Sequence, residues 1–141
     1  MKKTIFITGA TSGFGLAIAQ RFASGGYDLI ITGRREDRLL QIKEDLVSGN
    51  SISVTTLAFD VRDKAAVSTA IASLADRDID ILVNNAGLAA GLNTIDNGDT
   101  DDWDQMIDTN VKGLLYTTRA ILPRMKARCR GHIIKIGRAH V

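Results

Sequence analysis

One cysteine, Cys129, stands in 141 residues, so no internal disulfide can form. That excludes a disulfide-stapled scaffold and agrees with a reducing compartment. Cys129 lies between Arg128 and Arg130, which would favour its thiolate, but it reads as an incidental thiol near a helix end. No uninterrupted apolar run reaches the ~18 residues that a membrane-spanning helix needs. The apolar segment Ile5-Phe6-Ile7 is too short for a secretory signal and runs directly into a glycine-rich turn. The cytoplasm is therefore the expected location. An excess of charge of one sign is also missing: 18 Lys and Arg face 16 Asp and Glu, leaving +2. No general attraction to nucleic acid or to a membrane follows, and neither is an expected partner. Linkers, repeats and low-complexity tracts are absent, and no Gly-Lys-Ser/Thr follows the glycine turn, which excludes a P-loop.

What is present is a regular alternation of apolar segments and amphipathic ones. With 45% apolar and 24% charged residues, the chain can bury one ordinary core. Short apolar runs at 4–8, 29–32, 52–59, 79–83 and 133–136 read as strands. Between them, Phe14, Ile18 and Phe22 recur at spacing four and define a helix that Gly25-Gly26 stops. Segments 36–47 and 64–74 read as helices, with Leu39, Leu40, Ile42 and Leu46 among the apolar positions of the first. Thr100 or Asp101 is expected to cap a long helix reaching residue 127, with Ile107, Val111, Leu114, Thr118 and Ile121 as its buried stripe. Strands that are apolar throughout, alternating with helices, imply a parallel sheet covered on both faces. The acidic cluster Asp96, Asp99, Asp101, Asp102 and Asp104 suits a solvated loop and helix N-terminus, and no metal site is expected.

The turn after the first strand reads Thr8-Gly9-Ala10-Thr11-Ser12-Gly13-Phe14-Gly15. Glycine allows the backbone angles and close approach that a phosphate demands. The following helix offers unpaired N–H groups and the positive end of its dipole, and Thr11 and Ser12 add hydroxyls. A strand before the turn and a helix after it make this a dinucleotide-binding arrangement, a Rossmann-like, doubly wound parallel sheet. Such folds read the ribose at the end of the second strand. An acidic residue there would accept the 2′-hydroxyl of NAD, but this chain has Gly33-Arg34-Arg35. Two guanidinium groups can pair a 2′-phosphate, so NADP is the expected cofactor and NAD the less favoured one. Asp60 ends the third strand, where it could meet an adenine amino group or simply face water. Asn84 and Asn85 end the fourth strand; one could brace the sheet while Asn85 and the backbone of Ala86 and Gly87 face the cofactor. Asn110 lies on or beside the buried stripe of the long helix, so its amide needs partners.

These motifs together resemble the short-chain dehydrogenase/reductase family. The turn 8–15 is similar to its TGxxxGxG signature. Asp60-Val61, Asn84-Asn85-Ala86-Gly87 and Asn110-Val111-Lys112-Gly113 are similar to the family's next three motifs, in order, over residues 1–136. Within the family the chain looks most similar to NADP-dependent 3-hydroxy acid dehydrogenases, which act on serine-like or allo-threonine-like substrates and reduce malonic semialdehyde. The resemblance implies cofactor contacts from Gly9, Thr11, Ser12, Gly13, Phe14, Gly15, Arg34, Arg35, Asp60, Val61, Asn85, Ala86 and Gly87. It makes Asn110 a catalytic residue that distorts its helix and holds a relay water. It also implies hydride transfer between NADP and a small hydroxy acid or alcohol, in a homodimer or homotetramer that uses the long helix as a dimer surface. Relatives of the extended epimerase or dehydratase type more often show TGxxGxxG and fit less well.

The family's chemistry also needs a serine after the fifth strand and a Tyr-x-x-x-Lys on the next helix. Here Arg138 stands at the serine position, and neither Tyr27 nor Tyr116 has a lysine four residues on. His132 and His140 read as a strand-edge residue and a tail residue rather than replacement bases. Residues 1–136 are thus expected to be the N-terminal part of an NADP-binding domain whose C-terminal strands are missing. Residues 137–141 are expected to be a non-native tail that resembles a translated sequencing adapter. Such a piece is expected to be inactive and, with its fifth strand uncovered, prone to aggregate. A catalytically silent nucleotide-binding or interaction module is the alternative.

Overall fold

Strand β1, Thr4–Ile7, is buried along its whole length and forms the middle of the sheet. The computed structural model describes residues 1–137. After β1 come α1 (Gly13–Ser24), β2 (Asp28–Gly33), α2 (Glu36–Val47), β3 (Val54–Ala58), α3 (Lys64–Ala72) and β4 (Ile81–Asn84). Then follow α4 (Thr100–Ile107), a π-helical turn (Asp108–Gly113), α5 (Leu114–Ala127) and β5 (His132–Lys135). All five strands are parallel, in the order β3-β2-β1-β4-β5. Successive side chains of a strand point to opposite faces, so β1 serves two cores. Ile5 and Ile7, with Leu29 and Ile31 of β2, pack on Ala19 and Ala23 of α1 and Leu39, Ile42 and Leu46 of α2. Phe6, Ile30 and Leu82 face the other way, onto Val67 and Ile71 of α3 and Ile121 and Met125 of α5. This is the doubly wound Rossmann-like architecture. The chain leaves β1 toward β2 on one side and reaches β4 on the other, which opens a crevice at the strands' carboxyl ends.

The strand limits differ from the sequence expectation for local reasons. β3 begins at Val54 rather than at residue 52, because the N–H of Ser53 is taken by the Asp28 carboxylate at 2.7 Å. β4 begins at Ile81 rather than at residue 79. The carbonyl of buried Ile79 accepts from Arg128 Nη2 at 2.7 Å instead of joining the ladder. Asp80 then anchors the amino-terminal edge of the sheet. Its buried carboxylate accepts from the N–H of Thr4 at 2.9 Å, Arg130 Nη2 at 3.2 Å and Arg128 Nη1 at 3.4 Å.

The long helix departs further. Its cap is Asp99, not Thr100 or Asp101; the Asp99 carboxylate accepts from the N–H of Asp101 at 2.8 Å. The expected buried stripe is wrong in its upstream half. Ile107 and Val111 are each 51% exposed, whereas Gly113, Thr117, Ile121 and Met125 are buried. The physical cause is the π-helical turn. Its wider winding breaks the 3.6-residue phase, so residues before 108 no longer share a face with those after 113. Phe14 also fails to join the core face of α1: it is 66% exposed. Among the described residues no helix is long and apolar enough to cross a membrane, and no three His, Cys, Asp or Glu side chains cluster as metal ligands would. Arg138, His140 and, apart from Gly137, the expected tail lie outside the described residues.

Candidate functional site

The loops that follow β1, β2, β3 and β4 converge on one cleft of about 850 Å³, a size that suits a small ligand or a cofactor. The first wall is the glycine turn. Gly9 has φ of +64°, and a Cβ there would stand 2.9 Å from Cα of Ala86. Gly13 also has positive φ, +56°, and faces open space. Gly15 is different: a Cβ on it would strike the carbonyl of Gly9 and the amide of Asn85, so its absence lets α1 close onto the turn.

Helix α1 presents its amino terminus to the cleft. Ser12 occupies the cap position, yet its hydroxyl makes no capping bond, and the first turn of α1 carries no acidic residue. Two of the other helices carry carboxylates of their own in that place, Glu36 and Asp37 in α2 and Asp101 and Asp102 in α4, and α3 is capped by the Asp63 carboxylate. The first N–H groups of α1, with the Ser12 hydroxyl beside them, thus form a donor set suited to an anion.

A network binds the glycine turn to the loop after β4. The Thr8 hydroxyl accepts from the N–H groups of Asn85 and Ala86, both at 3.0 Å. The Asn85 amide donates back to the carbonyls of Gly9 at 3.0 Å and Thr8 at 3.2 Å. Asn85 therefore lines the cleft but uses its side-chain donors to hold the turn. Asn84 braces β4 to α5 by donating to the Thr118 hydroxyl at 3.1 Å.

Asn110 sits within the π-helical turn, and its amide meets the backbone of one residue in both directions. Its Oδ1 accepts from the N–H of Leu88, and its Nδ2 donates to the Leu88 carbonyl, each at 2.8 Å. Two residues further along the cleft wall stand Met106 and Thr109. The helix can approach this closely because Gly113 lies against Val61, where a Cβ would stand 2.7 Å from Val61 Cγ2.

At the far end, Arg34 and Asp60 line the cleft together. Arg35 does not; it is exposed and occupies the cap position of α2. The Asp60 carboxylate is held by its neighbour Arg62, with Nη2 to Oδ2 at 2.7 Å. The Arg62 hydrogen bonds keep the Asp60 carboxyl below its ordinary range, against a smaller opposing effect of burial, and the charge of Arg34 adds to the lowering. Of the residues singled out in the sequence, Gly9, Thr11, Ser12, Gly13, Phe14, Arg34, Asp60, Val61, Asn85, Ala86, Gly87 and Asn110 come together here, while buried Gly15 lies behind the lining and exposed Arg35 lies outside it. Sequence reasoning placed Thr8 in the glycine turn without its bracing role, and it missed Arg62. A threonine ending a strand and a basic residue in a loop carry no signal by themselves. Tyr27 packs edge-on against Phe22, their centroids 5.1 Å apart, and Tyr116 packs on the α3–α5 core.

Residues 3–139 match the family model described as short chain dehydrogenase. The chain belongs to the short-chain dehydrogenase family. It is 52% identical over 135 residues to the NADP-dependent 3-hydroxy acid dehydrogenase YdfG of Salmonella typhi, covering 94% of this chain and 53% of that one. Among solved structures, serine dehydrogenase from Escherichia coli superposes with a TM-score of 0.86 at 48% identity, covering 95% of this chain and 61% of that one. The closed form of serine dehydrogenase complexed with NADP+ gives a TM-score of 0.84 at the same 48% identity, covering 95% and 53%. This short-chain dehydrogenase sequence thus spans about half the length of the curated relatives it matches.

Proposed function

We propose that this chain is the NADP-binding part of a short-chain dehydrogenase that interconverts a small hydroxy acid or alcohol and its carbonyl compound. The observation that carries the reading is Arg34. It stands in the same cleft as the glycine turn and the amino terminus of α1, and its guanidinium would pair a ribose 2′-phosphate there. The α1 terminus, with Ser12, Gly13 and Thr11, would hold the pyrophosphate, and Gly9 admits its close approach. Asp60 and Val61 would meet adenine; Asn85, Ala86 and Gly87 would flank the nicotinamide ribose. The bound cofactor supplies the hydride acceptor or donor. Asn110 lies in the π-helical turn and fixes the loop at Leu88 through both ends of its amide, which supports a positioning role for it. The residues of this chain bind and orient; the tyrosine acid/base that the family's chemistry requires is not among those lining the cleft. The matches to YdfG and to serine dehydrogenase favour 3-hydroxy acids as the substrates of the whole protein.

Calorimetric titration of the chain with NADP+ and NAD+ tests the reading. NADP+ is expected to bind at least ~10-fold more tightly, a difference one charge-assisted phosphate contact can supply. Replacing Arg34 and Arg35 together by alanine should remove that preference, and Arg34→Ala alone should account for most of it. Equal affinities in the parent chain, or equal losses for both cofactors in the variant, would overturn it. Addition of 3-hydroxy acids with NADP+ is expected to give no turnover.

A further inference from the structure

Arg62 lies in the loop after β3, and its side chain lines the same end of the cleft as Gly33, Arg34 and Asp60. Its guanidinium grips the Asp60 carboxylate from one side. Nε stands 3.1 Å from Oδ1 and 3.0 Å from Oδ2, and Nη2 stands 2.7 Å from Oδ2. The N–H of Arg62 donates to Oδ1 as well, at 2.9 Å. A free carboxylate here would create a conflict. It suits the amino group of adenine, but it repels a dianion placed beside Arg34. Arg34 and Asp60 line the same cleft, so both demands fall in one place. An arginine that chelates the carboxylate cancels most of its field while leaving lone pairs to accept a hydrogen bond.

We propose that Arg62 determines cofactor specificity by neutralising Asp60, so that one cleft offers an acceptor to adenine and still admits a 2′-phosphorylated ribose. Arg62 is then a positioning residue that acts through Asp60, not a ligand of the phosphate. The inference rests on the NADP reading above and deepens it: the preference for a 2′-phosphate has two parts, attraction by Arg34 and removal of repulsion by Arg62.

The test uses two probes that reach only the adenosine end, adenosine 2′,5′-bisphosphate and 5′-AMP, titrated calorimetrically into the full chain. The quantity read is the ratio of their affinities. In the parent chain the bisphosphate is preferred. Arg62→Gln should lower the ratio by roughly three- to ten-fold, the range that Coulomb repulsion by one partly solvated charge allows. Its binding of 5′-AMP reports that the variant is folded. Arg62→Lys should restore part of the ratio. Asp60→Asn combined with Arg62→Gln should return the ratio to that of the parent, although both probes bind more weakly for want of the carboxylate. An unchanged ratio in Arg62→Gln would overturn the proposal. So would a double variant as impaired as Arg62→Gln, since Arg62 would then contact the phosphate itself. A parent chain with no preference for the bisphosphate would instead sink the NADP reading, and this inference with it.

Discussion

Asp60 and Arg62 are two residues apart, and their pairing gives the cleft a measurable acid dependence. The Asp60 carboxyl titrates below its ordinary value of 3.8 in the folded chain, chiefly because Arg62 hydrogen-bonds its charged form. A folded-state value below the unfolded one means that the stabilisation is fully present above the unfolded value and is lost as pH falls through the folded one. Asp60→Asn should therefore lower stability at neutral pH and cease to matter in strong acid. Both side chains are about a third exposed, at 30% and 33%. Solvent screening then limits the neutral-pH difference to about 0.5–1 kcal/mol. Urea unfolding of both proteins between pH 2 and pH 7 checks this; a difference that persists at the acid end would contradict it. At this scale the glycine turn was legible because glycine and the strand-to-helix context have a direct physical meaning. The tasks of Thr8 and Arg62 were not. Thr8 meets its partner Asn85 across 77 positions of sequence, and Arg62 gains its role only from the Asp60 beside it in the folded loop.

At the scale of elements, the π-helical turn decides what the long helix shows to each side. It brings Asn110 to Leu88 and sets Gly113 against Val61. The backbone at Gly113, with φ of −59° and ψ of −40°, is ordinary for any residue, so packing alone requires glycine there. Gly113→Ala would place Cβ 2.7 Å from Val61 Cγ2 and 3.2 Å from the Val61 carbonyl. It should cost about 1–3 kcal/mol, the usual penalty of overpacking. Adding Val61→Ala should recover part of that loss, as read by urea denaturation; a variant as stable as its parent would show that the helix can move away freely. Strand and helix identities were readable from apolar runs and spacing, and every expected element formed. The phase of the long helix was not readable, because a 3.6-residue template assumes an unbroken α-helix. The resemblance to the family implied a distortion at Asn110, and the structure contains one there.

Over the whole molecule, the two ends of the sheet do different work. The amino-terminal edge is locked by Asp80 with Thr4, Arg128 and Arg130, while the carboxyl edge gathers the loops of the cleft. Along the long helix, Val111, Leu115 and Leu122 are exposed, at 51%, 56% and 36%, as is Ile107 before the π-helical turn, at 51%. Exposed apolar side chains of this kind make the long helix the candidate surface for the homodimer or homotetramer that the family resemblance implies. Leu115→Glu should shift the chain toward monomer in light-scattering measurements without changing NADP+ affinity; an unaltered mass distribution would place association elsewhere, for instance at β5. Among the described residues that strand pairs on one side only, with β4, and its residue Ile133 is 39% exposed. The doubly wound plan itself was legible from the alternation of elements. The long helix as a dimer surface came only from the family resemblance, since an apolar helix position reads the same whether it faces a core or a partner.

The central claim is that the loops after β1, β2, β3 and β4 hold NADP as one surface. Amide resonances of the isotopically labelled chain, followed during titration with NADP+, test it most directly. The account predicts shifts concentrated at Gly9, Ser12, Gly13, Arg34, Asp60 and Ala86, with those near Arg34 absent when NAD+ is used instead. Shifts centred on the groove between α1 and α2, around Gln20, Arg38 and Asn50, or identical responses to both cofactors, would contradict it.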